Sequence, residues 1–221
     1  MKRLIDFSQN SLEVMALASL KAGVKAPVPS FGRSLMLSVI CMVLLVSALN
    51  AQSREYYMGL YVGKATHHNL EVLFIPRYSA LLDSKIVAVG IAKKLYESKN
   101  YEIWMESNGV KHFGYQTHLE LNFAFLFKWK SFPWDNYLDT SFVIGDGFSY
   151  ATQKPQIEID DNGKSAKILN YLIVEWKFYP IDQEYSIYTR IHHRSGIYGR
   201  INDVSGGSNF VTIGFRNYFD R

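Results

Sequence analysis

The chain is short of cysteine, of net charge and, beyond residue 51, of long apolar runs. Its one cysteine, Cys41, lies within an apolar run near the N-terminus, so the remainder needs no disulfide and has no thiol to use. An excess of charge is also missing. Of 24 Lys+Arg and 20 Asp+Glu, five and two fall in residues 1–51, so 19 and 18 remain beyond them. The pI near 9.0 is therefore no argument for nucleic-acid binding. After Ala51 there is no apolar run that could span a bilayer as a helix, and no stretch of helical period long enough to matter. Metal-ligand spacing is lacking at His67-His68, His112 and His118. Glu158-Ile159-Asp160-Asp161-Asn162-Gly163 has the glycine of a calcium loop, but Leu169 stands where a bidentate Glu is needed, so Asp161-Asn162-Gly163 is read as a turn. Asp146-Gly147 and Gly206-Gly207 precede no helix and are read as kinks or turns, not phosphate cradles. The expectation is no metal and no cofactor.

The N-terminal segment is distinctive. Arg33 precedes the apolar run Leu35–Ala48, and Ser47-Ala48-Leu49-Asn50-Ala51 offers small residues for cleavage. That order is a secretory signal, with residues 1–51 as leader and 52–221 as one domain. The alternative is an anchor, but the run is shorter than the ~20 residues a spanning helix needs. The leader before Arg33 is long, which makes Met36 another candidate start. Ile40 precedes Cys41 where a lipoprotein signal requires a small residue.

From residue 56 onward the dominant pattern has period two. Alternating stretches run near Tyr56–Lys64, Ile86–Tyr96, Tyr101–Ser107, Gln116–Trp129, Tyr137–Tyr150, Ala166–Phe178, Tyr185–Ser195 and Asn209–Phe219. Leu70–Ile75 could extend a strand between the first two. Successive side chains of a strand point to opposite faces, so alternation predicts strands. Several exceed the usual ~5–6 residues and match the ~9–11 of a tilted membrane-spanning strand. Connections alternate long and short, with Asn108–Tyr115, Lys130–Asn136, Ala151–Ser165, Pro180–Glu184 and Gly196–Ser208 among them. In the fourth stretch Leu119, Leu121, Phe123, Phe125, Phe127 and Trp129 oppose His118, Glu120, Asn122 and Lys128. Trp104, Trp129, Trp134, Tyr137, Tyr150, Trp176, Tyr179 and Tyr185 lie near strand ends, as an aromatic girdle requires. Together these predict an all-β fold, a single antiparallel eight-stranded outer-membrane β-barrel with a polar lumen. A soluble lipocalin-like barrel with an apolar interior has the same period and stays open as the alternative.

One stretch breaks the polarity. In Ile187, Thr189, Ile191, His193 and Ser195 the apolar side of a strand carries a His and a Ser, two residues and so ~7 Å apart. Asn209 opens the next strand on the same face. An amide oxygen can orient an imidazole for a nucleophile. The plainer reading is that His193 and Ser195 are polar residues at the barrel rim. Arg190, His192 and Arg194 point the other way, toward Glu175 and Lys177, as a charged network filling a narrow lumen.

His193-Arg194-Ser195 near the end of a penultimate strand resembles the motif of the PagL lipid A 3-O-deacylases, eight-stranded outer-membrane barrels whose His-x-Ser and an acidic residue on the last strand face the bilayer. The match covers about the last thirty residues. The resemblance implies an esterase that removes an acyl chain from lipid A or another outer-leaflet lipid, with His193 as base, Ser195 as nucleophile and Asn209 orienting the base. Asn209 stands where that family has Glu. Gly196-Ile197-Tyr198-Gly199 replaces its Asn-Ala-Gly stretch, leaving the Gly196 N–H as the oxyanion candidate. Lipopolysaccharide and outer-membrane lipids are the implied partners, with no nucleic acid. A non-catalytic outer-membrane barrel and a soluble lipid carrier are the competing functions.

Overall fold

The computed structural model describes residues 54–66, 81–179 and 184–220. The leader over residues 1–51, the Leu70–Ile75 strand extension, His67-His68 and most of the Pro180–Glu184 turn lie outside the described residues. The rest forms the strands β1 (Tyr56–Thr66), β2 (Leu81–Glu97), β3 (Tyr101–Gly114), β4 (Leu119–Trp129), β5 (Thr140–Ala151), β6 (Ile168–Phe178), β7 (Tyr185–Ser195) and β8 (Gly207–Phe219), with one short helix, α1 (Gln156–Asn162), before β6. Each strand pairs antiparallel with its sequence neighbour. β8 returns to β1, from Tyr56↔Phe219 to Thr66↔Asn209, so the eight strands close into a barrel. Closure leaves no sheet edge unpaired.

Period two places the side chains. Along β4 the burial alternates strictly, with Glu120, Asn122, Ala124, Leu126 and Lys128 inside and Leu119, Leu121, Phe123, Phe125 and Phe127 outside. The same holds in β7, where Ser186, Tyr188, Arg190, His192 and Arg194 point in. The interior is polar, which excludes the lipocalin-like alternative. Four buried ions sit at its centre. Arg190 donates from Nη1 and Nη2 to the two oxygens of Glu106 at 2.6 and 2.8 Å, and from Nε to Glu175 at 2.8 Å. Arg216 donates to the two oxygens of Glu175 at 2.6 and 2.8 Å. Two guanidinium forks thus meet two carboxylates bidentately, while the buried Arg216 Nε has no hydrogen-bond partner among the described residues. Tyr57 and Tyr188 cover Arg216 at 4.2 and 4.3 Å from their ring centres. The outer surface shows Val87, Val89, Ile91, Phe125, Ile144, Phe148, Ile187 and Ile213 instead. A polar plug under an apolar wall is the arrangement of a barrel whose surroundings are lipid.

Three expectations change. β3 continues to Gly114 through Asn108-Gly109, residues that suggest a turn by composition. β2 and β4 both pair with this stretch, from Ser84↔Gly114 to Gly109↔Leu121, and those backbone bonds override local preference. The β3–β4 connection is thus only Tyr115–His118, while the β4–β5 connection runs over 130–139, so the long-short alternation fails there. Trp104 is not part of a girdle: it is buried inside, donating from Nε1 to Glu102 at 2.7 Å. Asp161-Asn162-Gly163 is not a free loop turn: Asp161 and Asn162 are the last residues of α1, and Gly163 ends it in the left-handed region at φ 73°. The helix is too short to give a readable period. It forms where Ile157 and Glu158 are buried at the mouth of the barrel farthest from the termini of β1 and β8.

Candidate functional site

The site lies on the outside of β7 and β8 at that same distal end. Antiparallel register sets His193 directly opposite Asn209. The ring of His193 meets the side chain across the strands, with Nδ1 2.6 Å from Asn209 Oδ1. Because Oδ1 only accepts, Nδ1 carries the proton, and Nε2 is left with its lone pair. That tautomer is the one a general base needs. His193 and Ser195 share the outward face, as the strand period predicts, and His192 and Arg194 between and beside them point inward.

Ser195 ends β7. Its Oγ accepts a hydrogen bond from the N–H of Ile197 at 3.4 Å, and among the described residues no hydrogen bond joins it to His193. The expected oxyanion donor Gly196 is not available. Its N–H donates to the Gly206 carbonyl at 3.0 Å, closing the β7–β8 connection. A Cβ at 196 would lie 1.9 Å from the Val204 carbonyl oxygen, so glycine is there for close backbone packing. The chain then turns left-handed at Ile197 (φ 51°), Tyr198 (φ 53°) and Gly199 (φ 86°). A β-branched residue held in that region is strained, and such strain clusters at functional sites. The turn leaves the Ile197 N–H as the backbone donor beside Ser195 Oγ.

Two neighbours escaped the sequence reading. Asn170 pairs directly with Ser195 across β6 and β7 and is buried although it lies on the outward face. Its Nδ2 donates to Asp146 Oδ1 at 2.7 Å and to the Gly147 carbonyl at 3.1 Å. Thr66 of β1 pairs with Asn209 and is also buried. A band of polar side chains thus crosses five adjacent strands, from Asp146 through Asn170, Ser195, His193 and Asn209 to Thr66. Parity alone would have found Asn170, since it falls in step with Ile168, Leu172 and Val174.

Behind this band the lumen is tied to α1. Arg194 donates from Nη1 to Glu158 Oε1 at 2.7 Å and from Nε to Ser149 at 2.7 Å. Ser165 and Ser208 donate to the same carboxylate at 2.6 and 2.9 Å. Burial pushes the Glu158 carboxyl above its usual range, against the pull of Arg194 and the two hydroxyls. Arg194 and Ser208, the residues just before Ser195 and Asn209, are thereby anchored through the wall.

No protein-family model matches the chain, and no curated protein matches it. Solved structures do. The outer membrane enzyme PagL superposes with a TM-score of 0.50 at 10% identity, over 73% of this chain and 98% of that one. Neisserial surface protein A gives 0.48 at 12% identity, over 77% and 100%. The attachment invasion locus protein Ail of Yersinia pestis gives 0.36 at 10%, over 73% and 97%. At such identity what is shared with PagL is the fold, a closed eight-stranded barrel of outer-membrane type.

Proposed function

We propose that the chain is exported through its N-terminal signal, resides in the outer membrane of a Gram-negative bacterium, and hydrolyses an acyl ester of lipid A or another outer-leaflet lipid. The observation that carries this reading is the His193–Asn209 hydrogen bond beside Ser195 on the outward face. Polar groups on a lipid-facing wall are costly unless paired or used. The likeness in fold to an outer membrane enzyme supports it.

In this reading His193 Nε2 takes the proton of Ser195 Oγ as the oxygen attacks the ester carbonyl. The tetrahedral oxyanion is met by the Ile197 N–H. Its collapse breaks the ester bond, and the leaving alcohol takes the proton back from His193. Water then repeats the steps to free the fatty acid and restore Ser195. Asn209 holds the imidazole in its tautomer but supplies no charge to the imidazolium, which a carboxylate would do. Catalytic hydrogen bonds are commonly long without substrate and tighten in the complex, so Ser195 must turn from Ile197 toward His193 on binding.

Mass spectrometry of lipid A from cells with and without the protein tests the reading. Loss of one acyl chain should require both His193 and Ser195, and His192→Ala should retain it. Unchanged lipid A and unchanged acyl chains on the other outer-membrane lipids, in every case, would leave a non-catalytic barrel. That second reading is favoured by one observation: the Ser195 hydroxyl bonds to Ile197, not to His193.

A further inference from the structure

The linear spacing of His112, His118 and Glu120 suggests nothing, but the β3–β4 hairpin brings them together. Pairing of Val110 with Glu120 and Lys111 with Leu119 sets His112 opposite His118, and the His112 N–H bonds the His118 carbonyl at 3.0 Å. All three side chains are buried in the lumen at the distal mouth. One ligand atom from each lies within 4.8 Å of the others. His112 Nε2 is 3.0 Å from Glu120 Oε2, and the two imidazoles stack at 3.9 Å between centres. Nε2 of His118, a residue only 4% exposed, has no hydrogen-bond partner. A buried ring nitrogen without a partner is costly unless something occupies it.

We propose that His112, His118 and Glu120 form a binding site for a divalent transition-metal ion of the zinc type, in the lumen and apart from the outward-facing serine. Two imidazoles and a carboxylate suit Zn²⁺ and its neighbours, not Mg²⁺ or Ca²⁺, which want oxygen. Tetrahedral bonds of about 2.0–2.1 Å hold ligand atoms roughly 3.3 Å apart, so the His112–Glu120 pair opens by a few tenths of an ångström. The stacked rings do not aim both lone pairs at one point. His118 therefore swings out of the stack, which its place just before β4, outside the strand, allows. Charge balance favours a cation. Arg194 lies 3.9 Å from Glu120 but is taken by Glu158 at 2.7 Å, so among the described residues the Glu120 carboxylate meets no guanidinium at hydrogen-bond distance and is bonded to His192 Nε2 at 2.9 Å.

The site is linked to α1. Gln116 now donates to His112 Nδ1 at 3.2 Å and accepts from the Ile157 N–H at 3.2 Å. Metal on Nε2 moves the His112 proton to Nδ1. The Gln116 oxygen must then turn to accept it and release Ile157. Binding the metal loosens the first turn of α1.

Titration of the folded, EDTA-treated barrel in detergent with ZnCl₂ alone tests this by calorimetry, with MgCl₂ and CaCl₂ as comparison. One equivalent of Zn²⁺ should bind, and Co²⁺ should give the visible band of a tetrahedral N/O site. His118→Gln, which breaks no hydrogen bond of the Nε2 atom, should weaken binding roughly 100-fold, as should Glu120→Gln where it folds. His193→Ala should leave binding unchanged. Amide exchange at Ile157 should speed up with Zn²⁺. No zinc binding by the wild-type barrel, or binding of equal strength in His118→Gln, would overturn the proposal.

Discussion

Glu175→Ala removes one corner of the buried four-ion cluster, and its cost can be worked from the hydrogen bonds. Glu175 accepts from Arg190 Nε and from both Arg216 terminal nitrogens, at 2.6 to 2.8 Å. Without it, Arg216 keeps only a 3.4 Å contact to Glu106 and the faces of Tyr57 and Tyr188. Glu106 then answers two guanidinium groups alone. Removing one partner of a buried pair costs about 3–5 kcal/mol, because the other charge stays buried without compensation. Three acceptor contacts are lost, so the upper end, about 5 kcal/mol, is expected. The double variant Glu175→Leu with Arg216→Met removes a neutral pair and leaves the bidentate Arg190–Glu106 pair whole. It should cost less than Glu175→Ala alone, the non-additivity expected of contacting residues. Equilibrium urea unfolding in lipid vesicles, followed by fluorescence of the four tryptophans of the chain, gives both numbers. A loss below about 1 kcal/mol for Glu175→Ala, as at an exposed ion pair, would show that water reaches the cluster and refute the sealed interior.

The same plug predicts that the barrel conducts no steady ion current in planar bilayers; reproducible open-channel steps would contradict it. Ile213 is 57% exposed and Thr212 3%. A membrane-soluble maleimide should therefore label Ile213→Cys and spare Thr212→Cys; the reverse would mean a one-residue slip of β8. Gly207→Ala puts a Cβ 1.7 Å from the Arg194 carbonyl oxygen, whereas at Gly109 the nearest atom is a Leu121 methyl at 3.8 Å. Unfolding should show a loss of roughly 1–3 kcal/mol for the first and about 0.5 or less for the second. If lipid A is the substrate, Asn209→Glu should raise the deacylation rate measured by mass spectrometry, since a carboxylate stabilises the imidazolium; a rate equal to that of Asn209→Ala would rule out an orienting role.

Much of this was legible in the residues themselves. Alternation in eight stretches, clearest in Leu119–Trp129, set the strands, their number and which residues share a face, because side-chain period in a strand is fixed at two. Period does not say which face is inside. That followed from closure, which left room for Arg190, Arg216, Glu106 and Glu175 only as paired ions. Nor could spacing along the chain reveal pairs that exist only across strands. Register put Asn209 against His193 and Asn170 against Ser195, and stacked His118 on His112. The Gly196 N–H, free on paper, was taken by the Gly206 carbonyl once the turn closed. The sequence by itself determined which face each strand residue would share. Only the tertiary structure decided what each face would meet, because hydrogen bonds between strands depend on partners many residues away, and those are chosen when the barrel closes.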